Sequence, residues 1–260
     1  METIQLIPEN EYVLTVILQR PAVRNAINSQ MMRELQTLWQ TEIPQRPKLR
    51  CIILTGSGDK AFCAGADLKE RQQITLDVWR QQHIALQKAM LAQVGCPIPI
   101  IAAVNGAAFG GGLELALACD FIYAATTATF GQSEVKLGIM PGAMGTQNLP
   151  RACGIRRAKE LSFTGATFSA AQAYAWGIVN QIFAPDILLA QTLQTANAIA
   201  ANAPFAVRQV KKSIQASLTM DITAGYQFEL QAYQQLLPTK DRAEGIRAFN
   251  EKRKPTFMDE

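Results

Sequence analysis

The stretch Asn105-Gly-Ala-Ala-Phe-Gly-Gly-Gly-Leu-Glu114 joins two segments of different periodicity. Residues 98–104 form an apolar run typical of a buried strand, and residues 112–119 have the small and apolar side chains of a helix. Three consecutive glycines let the backbone approach a ligand closely, with N–H groups at the positive end of the helix macrodipole. The stretch therefore predicts a loop that places hydrogen-bond donors for a developing negative charge beside the proton-transfer group of Glu114.

Strand-like and helix-like segments alternate around this junction, which favours an α/β core. A helix capped by Asn28 or Ser29 follows the first strand, and another, capped by Ser169, ends at Gly177. Residues 61–68 are expected to form a loop. The predicted strands cover residues 12–18, 49–55, 98–104, 121–124, 128–130 and 178–183.

The last part of the sequence has a helical pattern only, and no linker or low-complexity tract precedes it. We therefore expect an α/β core over residues 1–195 and a helical C-terminal region over residues 196–260, not two independent domains. The helices predicted here cover residues 187–202, 204–218, 223–237 and 241–251.

Composition limits the classes of function. The net charge of +4 comes from scattered basic residues, so we expect no nucleic-acid partner, and a small polyanion fits better. Five cysteines without a CxxC pair are typical of buried free thiols in a reducing compartment, and a single histidine argues against a metal site. No stretch has the ~20 apolar residues of a membrane span, and no secretory signal is evident. We expect a cytoplasmic protein that has no contact with membranes.

Six motifs, in order and at compatible spacings, resemble the enoyl-CoA hydratase/isomerase (crotonase) family over nearly the full length. The set is specific for the family but only moderately specific for one reaction within it. The resemblance implies a spiral of repeated ββα units, a C-terminal helical region that builds homotrimers, often paired into hexamers, and an acyl-CoA substrate. The motifs are Arg20-Pro with Asn25-Ala-Ile-Asn28, Ala61-Phe-Cys-Ala-Gly-Ala-Asp-Leu-Lys69, Ala102-Ala-Val-Asn-Gly106 with Gly110-Gly-Gly-Leu-Glu114, Phe130-Gly-Gln-Ser-Glu134, Pro141-Gly142 with Gly145-Thr146, and Ala248-Phe-Asn-Glu-Lys-Arg253.

The resemblance also implies an oxyanion hole for the thioester oxygen. By position, its donors are the backbone N–H groups of Ala66 and Gly111. Ala64 and Gly110, which lie beside these donors, are also expected to contact the substrate. A tight turn alone would explain the glycines, but the motif at residues 61–69 favours the functional interpretation. One such donor is worth about 10²–10³ in rate.

Glu114 and Glu134 match the two carboxylates with which hydratases of this family activate water and protonate the α-carbon. We assign Glu114 as the base toward water and Glu134 as the acid. The predicted reaction is hydration of a 2-enoyl-CoA to a 3-hydroxyacyl-CoA without a metal or redox cofactor. Coenzyme A is part of the substrate and is therefore not counted as a cofactor. The alternatives are an enoyl-CoA isomerase and a methylglutaconyl-CoA-type hydratase. An RNA-binding relative is less favoured, since Arg33 is the only basic residue of the early helix.

The contacts with the CoA moiety are predicted from the same resemblance. Asp67, Leu68 and Lys69 would line the CoA side of the first loop, and Arg24 would lie near the nucleotide. Lys69 and Arg24 are equally compatible with solvated surface charges.

Two further residues are expected close to the acyl chain. His83 lies in a variable segment and is interpreted as an exposed or pocket-wall residue without a catalytic role. Met144 stands where hydratases of the family commonly have glycine. Its thioether can narrow the acyl pocket or pack beneath it.

Overall fold

A computed structural model describes the chain from Met1 to Glu260. The strands, in chain order, are β1 Ile4–Pro8, β2 Val13–Leu18, β3 Cys51–Gly56, β4 Ala61–Cys63, β5 Ile100–Val104, β6 Ala107–Phe109, β7 Phe121–Ala125, β8 Thr129–Gly131, β9 Thr167–Ser169 and β10 Gln181–Phe183. The helices are α1 Ser29–Thr37, α2 Leu68–Gln72, α3 Leu76–Val94, α4 Gly111–Leu117, α5 Gly145–Cys153, α6 Ile155–Thr164, α7 Ala170–Ala175, α8 Leu188–Ala200, α9 Pro204–Ser217, α10 Ile222–Leu236 and α11 Lys240–Asn250.

The strands form two sheets. The larger has the order β1-β2-β3-β5-β7-β10 and is parallel except for the β1–β2 pair. The smaller has the order β4-β6-β8-β9, with β9 antiparallel to β8. β3, β5 and β7 belong to the larger sheet, and the strand that follows each of them belongs to the smaller. Helices follow each pair, so the chain repeats a ββα unit, and the predicted spiral is confirmed.

The core lies around the larger sheet. Every residue of β3 and β5 is buried, as is usual for central parallel strands with both faces covered. α8 packs on β3, β5 and β7. The proposed boundary at residue 195 therefore falls within a helix that contacts the sheet.

Several elements differ from the sequence-based expectations. The predicted loop at residues 61–68 contains β4, because Ala61, Phe62 and Cys63 are fully buried and pair with β6. Three residues are too few to show a strand periodicity. The strand expected at 178–183 is confined to β10. The sequence analysis predicts none of β1, β6, β9, α2, α3, α5 and α6. α3 buries Gln82 and Gln93 on its inner face, which obscures its apolar stripe.

The C-terminal region is helical, as predicted, and α10 packs on α9. The end of the chain is fastened to the rest of the molecule. Arg50 donates to the carbonyl of Phe257 at 2.7 Å, and Arg208 forms a bidentate pair with Asp259 at 2.8 and 3.0 Å. No helix is both long and apolar enough to cross a membrane.

Candidate active site

A cavity of about 510 Å³ opens where the two glycine-containing loops meet. Its floor is formed by residues 64–66 and 110–111, and one wall by side chains of α2 and α3. The segment 133–143 closes the opposite side. Glu114 and Glu134 both line this space, together with a mostly apolar set of side chains. The structure therefore brings both predicted loops and both predicted carboxylates to one cavity.

The first loop is held by a buried asparagine. The Asn25 side chain donates to the carbonyls of Ser57 and Ala61 at 3.0 and 2.9 Å, and its Oδ1 accepts from the Arg20 amide at 2.9 Å. The amide of Ile27 donates to the carbonyl of Gly65 at 2.7 Å. These bonds fix the backbone on both sides of the loop before any ligand is bound.

Ala66 and Gly111 each present a backbone N–H without an acceptor in the protein. Ile27 pairs with the residues on either side of Ala66, which leaves the Ala66 N–H free. Gly111 is the first residue of α4, so its N–H has no partner within the helix. Both residues line the cavity, and a Cβ at Gly65 would lie 3.4 Å from the Gly111 nitrogen.

The glycines of the second loop are required by close approach. A Cβ at Gly112 would lie 2.0 Å from the carbonyl oxygen of Cys63, so α4 packs directly on β4. Gly110 has φ +51°, and a Cβ there would lie 3.1 Å from Oε1 of Glu134. Larger residues would separate the loop from β4 and from Glu134.

Glu114 is buried, with 3% of its surface exposed. Its Oε1 accepts hydrogen bonds from the amides of Ala143 and Gly145, at 2.8 and 2.7 Å. Burial raises the pKa of Glu114 to about 7, and the two amides oppose part of that rise. Met144, between the two amides, has φ +74°, and its side chain packs against the core and does not line the cavity.

Glu134 begins a 3₁₀ turn after β8. Its Oε1 accepts from Nε2 of Gln132 at 2.8 Å, whereas its Oε2 is screened from solvent and has no partner in the protein. Burial raises the pKa of Glu134 as well. A free, buried carboxyl oxygen facing a cavity is available to donate or accept a proton.

Sequence analysis missed Gln132 and Arg71. Gln132 is 1% exposed, and its Nε2 donates to Oε1 of Glu134 at 2.8 Å. A Cβ at Gly145 would be 2.8 Å from Oε1 of Glu114 and 3.1 Å from Nε2 of Gln132. The position of Gln132 in the sequence, two residues before Glu134, could have indicated that it belongs to the site. Arg71 lines the cavity but follows Leu68-Lys-Glu, a charged run that resembles a solvated surface.

The predicted CoA contacts lie in different surroundings. Leu68 lines the cavity. Asp67 caps α2 and pairs with Arg20 at 3.0 Å, while Lys69 and Arg24 are exposed outside the cavity. Their contacts with CoA stay predictions.

The remaining expectations for the site concern His83 and metal binding. His83 lines the cavity wall, as expected. No three His, Cys, Asp or Glu side chains come together in a metal-binding cluster.

The raised pKa of Glu114 predicts a pH-dependent cost in stability. Its folded-state pKa is about 7 against 4.5 for an exposed carboxyl, so the folded state binds more protons between these values and stability falls as the pH rises through them. At 1.36 kcal/mol per pKa unit, the full penalty above pH 7 is roughly 3 kcal/mol. We expect Glu114→Gln to raise the free energy of unfolding by about 2–3 kcal/mol at pH 8 but not at pH 4.5, as measured by urea denaturation.

The control for this comparison is Glu160→Gln, because Glu160 is an exposed residue of α6. It should leave the stability nearly constant at both pH values. Equal stability of wild type and Glu114→Gln at pH 8 would show that burial of Glu114 carries no penalty.

Comparison with known proteins agrees with the geometry of the site. The enoyl-CoA hydratase/isomerase family model matches residues 8–260. The putative enoyl-CoA hydratase/isomerase YngF of Bacillus subtilis is 45% identical over 96% of this chain and 95% of its own length. A crotonyl-CoA hydratase of Syntrophomonas wolfei is 39% identical over 97% of each chain. The crystal structure of an enoyl-CoA hydratase from Bacillus anthracis superposes with a TM-score of 0.97, at 42% identity, over 99% of this chain and 100% of that one.

The chain belongs to the enoyl-CoA hydratase/isomerase family, and its fold is that of the crotonase-type enzymes. Members of this family act on acyl-CoA thioesters. The cavity between the two loops is therefore the candidate site for the acyl group.

Proposed function

We propose that the protein is an enoyl-CoA hydratase, which adds water across the 2,3 double bond of a 2-enoyl-CoA to give a 3-hydroxyacyl-CoA. The observation that carries the proposal is that one cavity holds two unpaired backbone N–H groups and two buried carboxyl groups of raised pKa. Perturbed carboxyl groups facing a cleft are typical of acid-base sites.

In this mechanism the thioester oxygen accepts hydrogen bonds from the N–H groups of Ala66 and Gly111. These donors are already oriented, so they stabilise the negative charge that develops on the oxygen when C3 is attacked. The positive end of α4 adds to the same effect, because Gly111 begins that helix.

The two carboxyl groups supply and remove the protons. With a pKa of about 7, Glu114 is ionised in a large fraction of molecules at neutral pH. It can take a proton from the water molecule whose oxygen bonds to C3. Glu134 gives its proton to C2 from the unpaired Oε2. Transfer of the proton from Glu114 back to Glu134 restores the enzyme, and the net change is the addition of one water. Because the two groups interact, their roles can be shared.

This reaction is neither an oxidation nor a reduction, so the proposal includes no redox cofactor. The N–H groups of Ala66 and Gly111 stabilise the oxyanion in this mechanism, so it includes no metal either, and coenzyme A enters with the substrate. We place the protein in the cytoplasm, because all five cysteines are free and a reducing compartment keeps thiols in that state.

The second candidate is an enoyl-CoA isomerase, which moves a proton between C2 and C4 without adding water. Two carboxyl groups in one cavity favour the hydratase, because hydration needs one group toward water and one toward carbon. The name of the Syntrophomonas wolfei relative, crotonyl-CoA hydratase, supports the same choice. A methylglutaconyl-CoA-type hydratase is the alternative within hydration.

Labelled water separates these two reactions. When a 2-enoyl-CoA is incubated with the enzyme in ¹⁸O-labelled water, we expect 3-hydroxyacyl-CoA that carries the label, detected by mass spectrometry. Heat-inactivated enzyme is the control for spontaneous addition. If 3-enoyl-CoA is converted efficiently to the 2-enoyl form while 2-enoyl substrates of several lengths remain unhydrated, the isomerase assignment replaces the hydratase.

We also propose that the protein assembles as a homotrimer or as a hexamer of two trimers, through its C-terminal helices. Apolar side chains are exposed on α10 and α11, and contiguous exposed apolar surface is typical of interaction sites. Ile222 is 89% and Phe249 84% exposed. The other apolar residues exposed on these helices are Tyr226, Leu230, Tyr233 and Ile246, and Leu237 directly follows α10.

A charge on this surface should disrupt the assembly. We expect wild type to sediment at three or six times the monomer mass of 28.5 kDa, and Phe249→Asp to shift toward the monomer. Asn250→Asp is the matched control, since it adds the same charge at the neighbouring exposed position. A wild-type monomer, or identical masses for all three proteins, would contradict the proposal.

A further inference from the structure

Arg71 is a charged residue inside the cavity that the proposed hydration does not use. Its Nε is screened from solvent and has no hydrogen-bond partner. None of the ion pairs of the protein includes Arg71. A planar guanidinium in such a place is suited to bidentate binding of a carboxylate.

Hydrogen bonds from other groups hold at least one oxygen of each nearby carboxylate. Glu70 precedes Arg71 on α2, but its two oxygens accept from the amide and hydroxyl of Ser29 at 2.8 and 2.7 Å. Oε1 of Glu114 is held by backbone amides, and Oε1 of Glu134 by Gln132. No carboxylate of the protein comes within ion-pair distance of the Arg71 guanidinium, although the charges of Glu70, Glu114 and Glu134 act on it from farther away.

The surroundings make an unpaired cation costly. The Arg71 guanidinium carbon lies 5.6 Å from the centre of the Trp79 ring, and burial lowers the pKa of Arg71. His83, whose ring lies 5.4 Å from that of Trp79, also has a buried Nδ1 without a partner. A bound anion would compensate the desolvated charge of Arg71 and would accept a hydrogen bond from its unpartnered Nε.

The position of Arg71 indicates which part of a ligand would reach it. The charges of Glu114 and Glu134 oppose the lowering of its pKa, so the guanidinium is within electrostatic reach of both. Arg71 also lines the same cavity as the two carboxyls, so a ligand whose carbons react between them can place another part of its acyl chain against the guanidinium. A short acyl chain with a terminal carboxylate meets this requirement.

We propose that Arg71 binds a carboxylate at the far end of the acyl chain, and that the natural substrate is a short 2-enoyl-CoA with this second carboxylate. The inference rests on the proposed hydratase function for its reaction, but the binding preference is independent of turnover. Arg71 is then a specificity-determining residue, with His83 beside it in the cavity wall.

Calorimetric binding of saturated, unreactive thioesters tests the site directly. The probes are glutaryl-CoA, the neutral isostere 5-methylhexanoyl-CoA, and free CoA. A charged hydrogen bond contributes about 1.5–3 kcal/mol, which is roughly a 10- to 150-fold change in Kd. We expect wild type to prefer glutaryl-CoA by about that factor, and Arg71→Met to lose the preference selectively.

Two variants sharpen the comparison. Arg71→Lys keeps the charge without the planar fork and should retain part of the preference. Arg80→Met is the matched control, because Arg80 is an exposed residue of α3, paired with Asp77, outside the cavity. It should bind both thioesters as wild type does.

Three results would overturn the proposal. Wild type with no preference for glutaryl-CoA shows that the guanidinium does not bind an acyl carboxylate. Equal weakening of both thioesters by Arg71→Met shows a packing role, and weakening of free CoA shows that Arg71 binds the phosphates instead. Hydration of (E)-4-carboxybut-2-enoyl-CoA and 5-methylhex-2-enoyl-CoA is measured separately. If neither is hydrated, the proposed function is wrong, while the carboxylate site is still judged by calorimetry.

Discussion

Replacing Glu114 or Glu134 by glutamine should lower the turnover of a 2-enoyl-CoA by about 10²–10⁴-fold, because a general acid or base contributes that much. Glutamine keeps the shape of each side chain. At position 114 its carbonyl oxygen can still accept from the amides of Ala143 and Gly145, and at position 134 the Gln132 contact can be retained. Acyl-CoA binding should therefore persist. Loss of enone absorbance gives the rate, and calorimetry gives the affinity.

The double variant distinguishes two independent groups from a coupled pair. If the two carboxyls act as a unit, Glu114→Gln with Glu134→Gln should cost far less than the product of the single losses. Glu160→Gln, on the exposed face of α6, should turn over normally. Near-normal turnover in a folded single variant removes that residue from the mechanism.

The same pair also explains a feature of the stability. Glu114 is retained in the core although its burial raises its pKa to about 7 and makes its charged form expensive at neutral pH. A variant that is more stable and less active is the expected sign of a group kept for chemistry and not for folding. This makes the unfolding and turnover measurements on Glu114→Gln mutually informative.

The α/β core could be expected from the sequence, since its long parallel strands are continuous apolar runs, whereas the ββα repeat was expected only from the resemblance to the family. The resemblance to the family supplied the rest of the expected architecture. β4 was missed because Ala61-Phe-Cys63 forms a strand only through pairing with β6, far away in the sequence. α3 was missed because glutamines occupy part of its buried face. Both failures arise where tertiary contacts outweigh local pattern.

Sequence reasoning was most effective for the site where backbone geometry restricts the residue type. Gly110 and Gly112 are explained by a positive φ and by contact with the Cys63 carbonyl, so the glycine run pointed to a close approach. It was least effective for Arg71, because a charged side chain in a polar run gives no local indication that it turns into a cavity. Which direction such a side chain takes depends on the placement of α2 against the second loop.

Replacing Gly111 by proline should lower kcat/KM by about 10²–10³, the contribution of one oxyanion donor. Gly111 is the first residue of α4 and has no positive φ, so proline suits the helix at this position. Its ring removes the N–H and places a carbon where the thioester oxygen would accept. The preceding Gly110 has no Cβ to clash with that ring.

Gly111→Ala separates the hydrogen bond from the added bulk. A Cβ at this position would meet Cδ1 of Ile27 at 3.5 Å, an ordinary contact, and the N–H remains. We therefore expect Gly111→Ala to keep most of the activity, while Gly111→Pro loses it with an unchanged circular dichroism spectrum. In the proline variant, Ala66 is the only remaining donor of the pair. If this variant folds and keeps high activity, the thioester oxygen binds elsewhere. If kcat/KM of the alanine variant falls as far as that of the proline variant, the added bulk and not the lost N–H is responsible. The carbonyl site must then lie closer to the Gly111 Cα than to its nitrogen.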